Sequence, residues 1–265
     1  MITDWDDAYA NGAHIEDADA ILARWKDEAP KVYRSLSPET ILTGSAPRQF
    51  FDLYLPDTAI EGVTVFVHGG YWMAFEGRDF AHLVKGPLLL GQAVASVTYT
   101  LAPQARISEI TAEITQAIVD IADRIDGSIR LVGHSAGGHL VTRLVCDGVL
   151  PAHVLSRIAH VVSISGVHDL RPLLRTKMNQ TLGLTPDEAI AESPALLMPI
   201  EGVRVSCVVG AEERPEFRRQ SALLANIWTG LGAVTQAIEL PGENHFSIIT
   251  GLENPQSDLC KLVVD

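Results

Sequence analysis

The chain has little cysteine, and its cysteines are not arranged for cross-linking or metal binding. Its 265 residues include three cysteines, Cys146, Cys207 and Cys260, an odd number that are far apart and form no CxxC pair. This pattern does not indicate a disulfide framework, and we expect buried free thiols in a reducing compartment. The HExxH metal motif and the P-loop are absent as well, so we expect neither a metal nor another cofactor.

Positive charge and long apolar runs are also scarce. Lys and Arg total 20 against 33 Asp and Glu, which gives a net charge of −13. Such an acidic chain repels the phosphate backbone, so a nucleic-acid partner is not expected. No run approaches the ~18 apolar residues of a membrane span, and the acidic N-terminus lacks the pattern of a signal peptide. We therefore expect a cytoplasmic protein with no membrane partner.

Short apolar runs alternate with longer helical patterns along the chain. Strands are predicted at 49–56, 63–68, 93–100, 129–134, 159–166, 203–210 and 234–240, and helices at 79–90, 108–125, 137–148, 215–232 and 255–264. This alternation predicts the α/β class, with a mostly parallel, doubly wound sheet and helices on both faces. We expect one domain over 1–265, in which 1–45 is a helical or irregular extension on the core and 169–198 a cap-like excursion. Ligands of such sheets bind at the carboxyl ends of the strands.

The stretch "LVGHSAGGHL" holds a serine between glycines at the end of a predicted strand. Gly133-His134-Ser135-Ala136-Gly137 fits the G-x-S-x-G pattern, in which a sharp strand-to-helix turn exposes a nucleophilic serine. The alternative is an ordinary turn whose glycines only relieve crowding. The position between an apolar strand and a helix favours the nucleophile.

A nucleophilic serine needs a base, and the base needs an acid that orients it. His245, in "LPGENHFSI" after the last strand, is the candidate base; a surface-loop histidine is the alternative. For the acid, the loop "GAEERPEF" offers Glu213 first and Glu212 second, and Asp169 is a third choice.

The glycines of "HGGYW" (68–72) follow another predicted strand. There Gly69 permits a bend, and the N–H groups of Gly70 and Tyr71 are candidate oxyanion donors together with that of Ala136. The side chains of Tyr71 and Trp72 belong either to the core or to the wall of a substrate pocket. Their place beside the expected oxyanion hole favours the wall, and we add His134 to that pocket.

These motifs together resemble the α/β-hydrolase superfamily, and more narrowly the arylformamidase (kynurenine formamidase)-like esterases with an HGGxW motif. The resemblance implies that Ser135 is the nucleophile, His245 the base and Glu213 the acid, in the order Ser…acid…His of that superfamily. Many relatives have Asp where this chain has Glu, and the adjacent Arg214 could compete for the carboxylate.

By the same resemblance, the expected activity is hydrolysis of a small ester or aryl formamide through an acyl-enzyme, without a cofactor. The alternative is an inactive member of the fold that binds a small ligand. The expected partner is a small-molecule substrate, and the sequence leaves a homodimer open.

Overall fold

The apolar runs form one eight-stranded sheet in the computed structural model, which describes residues 2–265. The strands are β1 (Glu39–Leu42), β2 (Phe50–Tyr54), β3 (Gly62–Val67), β4 (Ala93–Thr98), β5 (Ser128–His134), β6 (Ile158–Ile164), β7 (Arg204–Gly210) and β8 (Val234–Leu240). They lie in the order β1-β2-β4-β3-β5-β6-β7-β8. The five pairings from β4 to β8 are parallel, whereas β2 is antiparallel to both β1 and β4. The predicted mostly parallel sheet is therefore confirmed.

The helices cover both faces of this sheet. They are α1 (Trp5–Ala8), α2 (Ala18–Leu36), α3 (Lys85–Leu89), α4 (Ile107–Arg124), α5 (Ala136–Leu144), α6 (Ala152–Leu155), α7 (Asn179–Leu182), α8 (Pro186–Ala191), α9 (Pro215–Thr229) and α10 (Asp258–Val264). Five 3-10 segments complete the chain, at Gly12–His14, Gly77–Val84, Arg171–Arg175, Pro194–Leu196 and Ile248–Glu253. None of the helices in residues 2–265 has both the length and the apolar character that a bilayer crossing requires.

Successive side chains of the central strands enter two different cores. Val65 and Val67 of β3 pack on one face with the isoleucines of α4, while Phe66 between them packs on the other. That second face is closed by Trp25 of α2 and by α10. Because both faces are buried, the strand reads as a continuous apolar run, as a central parallel strand should.

Two local predictions differ from the structure. Helix α4 begins at Ile107, one residue before the predicted start at 108, and the Ser108 hydroxyl and N–H donate to Glu188 of α8. The run 79–90 is a 3-10 segment followed by the short α3 and not one continuous α-helix.

The excursion at 169–198 consists of short helices that pack on the body of the protein. Trp228 of α9 donates its indole N–H to Pro194 O (3.0 Å), and Thr111 of α4 donates its hydroxyl to Glu192 (2.7 Å). The N-terminal extension lies on the core as well, where Trp25 packs against Phe80 at 5.4 Å between ring centroids.

Candidate active site

The carboxyl ends of neighbouring strands are linked by backbone hydrogen bonds. The N–H of Ser135, after β5, donates to Ile164 O at the end of β6 (2.8 Å). The N–H of Ser165, after β6, donates to Val208 O of β7 (2.7 Å). These bonds fix the starting points of three loops relative to one another, on the edge of the sheet where ligands bind.

Ser135 lies on a sharp turn from β5 into α5. Its φ of 55° is in the left-handed region, which is uncommon for a residue with a side chain. A Cβ on Gly133 would lie 2.1 Å from Gly137 O, and one on Gly137 would lie 1.9 Å from Val67 O, so the glycines are required for packing. The turn also sets Ser135 at the N-cap of α5, directly before Ala136, and places it in the wall of a cavity.

His245 contacts a buried carboxylate through one ring nitrogen. Its Nδ1 lies 2.6 Å from Glu213 Oε2, and the Glu213 side chain has no exposed surface. The other oxygen, Oε1, accepts the N–H of Gly210 (2.8 Å) and the hydroxyl of Ser165 (2.5 Å). With Nδ1 donating to the carboxylate, Nε2 of His245 is left to accept a proton.

The other acid candidates are engaged elsewhere or lie in solvent. Glu212 is exposed, and Asp169 accepts hydrogen bonds from Nε and Nη2 of Arg171, each at 2.9 Å. The expected competition from Arg214 is not seen, because Arg214 pairs with Asp7 of the N-terminal segment. The structure thus places Glu213 against His245 and keeps the alternatives away.

The His245 ring contacts two other rings. The centroid of its ring lies 4.5 Å from that of Phe217 of α9 and 4.8 Å from that of His134. His134 Nε2 donates to His245 O (2.9 Å), and burial holds the pKa of His134 well below its usual value. His134 is therefore a neutral spacer that orients the loop. Phe217 was missed by the sequence analysis, although its place in "PEF" beside the acid is a usable signal.

The loop after β3 runs directly beside the serine. A Cβ on Gly69 would lie 3.0 Å from Ser135 Cβ. Within residues 2–265, the N–H groups of Gly69, Gly70 and Tyr71 donate to no protein acceptor, whereas Met73 N–H turns back onto Gly70 O (2.9 Å). The loop therefore presents free donors next to Ser135, which is the arrangement that an oxyanion requires.

A cavity of about 390 Å³ opens at Ser135 and His245. Its walls are mostly aromatic and aliphatic. They comprise Tyr9, Ala10, Asn11, Gly12, Ala13, Trp25, Gly70, Tyr71, Met73, Ala74, Phe75, Phe80, His134 and Phe246. Tyr71 and His134 are among these wall residues, whereas the excursion at 169–198 contributes none.

Trp72 does not line this cavity, contrary to the expectation for its side chain. It is fully buried in the core and packs edge-on against His139, with ring centroids 5.2 Å apart. The backbone explains the difference, since Tyr71 and Trp72 both have positive φ, 52° and 57°, and the chain turns sharply between them. Consecutive side chains therefore leave the loop in different directions.

The N-terminal segment supplies a wall that the sequence analysis did not identify. The Tyr71 hydroxyl donates to Tyr9 O, and Asn11 Nδ2 donates to the Tyr71 hydroxyl (3.1 Å). Tyr9 is anchored in turn, because its hydroxyl donates to Glu216 of α9 (2.9 Å). These contacts join residues about 60 and about 200 positions apart, as the numbering shows, so no local pattern signals them.

The three cysteines are buried free thiols, as predicted. Burial raises the pKa of Cys146 and Cys207 to about 12 and that of Cys260 to about 11. They are therefore protonated and unreactive at neutral pH. In residues 2–265, no three His, Cys, Asp or Glu side chains are grouped in a way that could hold a metal ion.

The sheet and the serine turn at its carboxyl edge define an α/β hydrolase. A family model described as alpha/beta hydrolase fold matches residues 64–248, more than half of the chain, and the chain belongs to this family. The kynurenine formamidase of Danio rerio is 29% identical over 231 residues, which cover 83% of this chain and 78% of that protein. The resemblance to arylformamidase-like esterases is thereby confirmed.

Two solved structures have the same fold as this chain. A crystal structure from Silicibacter sp. TM1040, described provisionally as a thioesterase, is 44% identical with a TM-score of 0.94, and 99% of each chain is covered. Esterase LipW from Mycobacterium marinum has a TM-score of 0.73 at 16% identity, covering 97% of this chain and 93% of that one, which shows the shared fold alone. The protein is thus a hydrolase of the α/β fold.

Proposed function

We propose that this protein is a serine hydrolase that cleaves a small ester or an aryl formamide with Ser135, His245 and Glu213. The observation that carries the proposal is the contact of 2.6 Å between His245 Nδ1 and the buried Glu213, at a cavity that Ser135 also lines. The left-handed turn at Ser135 supports it, since strained backbone is common where a side chain reacts.

The chemistry follows from the arrangement of donors and acceptors. Ser135 Oγ attacks the carbonyl carbon while its proton passes to His245 Nε2, and Glu213 stabilises the imidazolium that forms. The N–H groups of Gly70, Tyr71 and Ala136 hold the oxyanion, and Gly69 allows the loop to approach. The imidazolium then gives its proton to the leaving alcohol or amine. Water attacks the acyl-enzyme with help from the same histidine, which releases the acid and restores Ser135.

The cavity and the relatives together suggest the substrate class. A volume of about 390 Å³ must hold both the acyl group and the leaving group, which favours small substrates. Its aromatic walls suit an apolar or aromatic leaving group. The relative named kynurenine formamidase supports formamides, and the 44% identical structure described provisionally as a thioesterase supports an ester-type substrate.

Covalent labelling tests the nucleophile directly. We expect a fluorophosphonate probe to modify the native protein once, with the adduct on the peptide that contains Ser135, and the Ser135→Ala variant to remain unlabelled. A native protein that binds short esters but takes up no probe would indicate the alternative function, an inactive fold member that only binds a ligand.

A substrate series separates the two classes. We expect kcat/KM to fall as the acyl chain of nitrophenyl esters lengthens, because the cavity is small and bulky side chains such as Tyr71 and Met73 form part of its wall. The value for N-formylkynurenine, measured beside the formyl and acetyl esters, decides between formamidase and esterase. Equal values for short and long acyl chains would contradict the assigned cavity.

A further inference from the structure

A second serine follows strand β6, the neighbour of the strand that ends at the sharp turn of Ser135, which we call the elbow. Ser165 follows β6, has a φ of 54° and is fully buried. Its hydroxyl donates to Glu213 Oε1 at 2.5 Å and makes no other hydrogen bond in the part of the chain that the structure describes. The sequence analysis did not single it out.

The contact fixes the rotation of the acid side chain. Glutamate has one more methylene than aspartate, and so one more torsion that must be held to keep an oxygen on the histidine. Gly210 N–H and the Ser165 hydroxyl both bind Oε1, which leaves Oε2 facing His245 Nδ1. A hydroxyl bound to a carboxylate makes one of the stronger hydrogen bonds in proteins, so its loss frees the carboxylate to turn.

The backbone argues that the hydroxyl is the reason for a serine at this position. A left-handed φ disfavours every residue with a Cβ, and glycine would adopt it without strain. The Ser165 N–H donates to Val208 O, a contact that glycine would also make. Only the bond to Glu213 requires the side chain.

We propose that Ser165 is a positioning residue that holds Glu213 in the orientation in which its free oxygen supports His245. This inference rests on the proposed function, because it acts through the proposed triad. It explains how the longer side chain of a glutamate is held in place at this position.

The test replaces the hydroxyl without disturbing the turn. Ser165→Gly removes the hydroxyl and accepts the left-handed φ, so we expect the variant to keep its fold, as measured by circular dichroism. The kcat on a short nitrophenyl ester should fall by about tenfold while KM is unchanged, since only the transition-state imidazolium loses support. Ser165→Ala, which also lacks the hydroxyl, should show the same lowered kcat as Ser165→Gly. Ser163→Ala, which removes a buried hydroxyl from the same strand, is the matched control and should keep kcat within about twofold.

A double-mutant cycle separates positioning from a general structural role. In a Glu213→Ala background, Ser165→Gly should cause no further loss of kcat, because the carboxylate that it positions is gone. Wild-type kcat in Ser165→Gly, or an equal loss in both backgrounds, would overturn the proposal. If Glu213→Ala itself retains wild-type kcat, the triad is wrong and the role of Ser165 is rejected with it, whereas Ser135→Ala still reports on the nucleophile.

Discussion

Ser135 and Ser165 have nearly the same backbone φ and different surroundings. They end the neighbouring parallel strands β5 and β6 with φ values of 55° and 54°. Ser135 lines the cavity and is followed by the nine-residue helix α5. Ser165 does not line that cavity, and residues 166–170 form no helix or strand.

The comparison shows that a strained serine is not by itself a nucleophile. What differs is the neighbour that each hydroxyl meets. The loop at Gly69 brings free N–H donors beside Ser135, whereas the hydroxyl of Ser165 is taken up by Glu213. The first serine is left available for a substrate, and the second is committed to the acid.

Removal of the two hydroxyls should therefore have very different effects on turnover. We expect Ser135→Ala to lower kcat by about 10³–10⁶-fold on a short nitrophenyl ester, against about tenfold for Ser165→Gly, because in the proposed mechanism only Ser135 forms a bond to the substrate. Steady-state kinetics under one set of conditions measures both variants. If the two losses were equal, or if Ser165→Gly had the larger one, the roles assigned to the two serines would be wrong.

The second-largest expected effect is at Glu213, the acid that contacts the Ser165 hydroxyl and His245. Glu213→Gln keeps the shape of the side chain and removes its charge, so we expect kcat to fall by about 10²–10⁴-fold, as expected when the acid of such a triad becomes an amide. Glu212→Gln, one residue away and exposed, is the matched control and should behave like the wild type. A loss in Glu212→Gln that matched the loss in Glu213→Gln would mean that the loop, and not the carboxylate on His245, is what matters.

The sheet and the elbow could be predicted because their signals are local. A parallel strand buried on both faces is apolar throughout, and the turn at Ser135 needs glycine on either side at fixed spacing. The positions of His245 and Glu213 followed from the rule that strand ends converge. Which of Glu212 and Glu213 contacts the histidine, however, depends on burial and on the hydrogen bond from Gly210 N–H to the Glu213 carboxylate. Neither can be recognised from two adjacent glutamates in a sequence.

The walls of the cavity were largely out of reach of sequence reasoning. Tyr9 and Asn11 reach the site through hydrogen bonds to residues far along the chain, and their own neighbours carry no periodic pattern. The direction of the Trp72 side chain depends on the positive φ of two successive residues, Tyr71 and Trp72. The residue types at these positions do not indicate such a backbone. The partner of Ser108 similarly lies in a distant helix. Long-range contacts, and not missing motifs, account for these errors.

The last prediction concerns two buried histidines, each of which follows one of the two serines by a few positions in the sequence. His139, four residues after Ser135, and His168, three after Ser165, are fully buried, and burial lowers the pKa of each to about 3. In the unfolded chain a histidine binds a proton near pH 6.5. As pH falls below 6.5 the unfolded state therefore takes up protons that the folded state does not, and the folded state loses stability.

Each such histidine should lower the free energy of unfolding by about 1.4 kcal/mol between pH 7.5 and pH 5.5. Urea denaturation at the two pH values measures this slope. His139→Gln and His168→Gln should each make the slope shallower by that amount. Equal effects from His139 and His168 would show that the turn at Ser135 and the bend at Ser165 exclude water to the same degree. A smaller effect from His168 alone would instead mean that the bend admits water where the elbow does not.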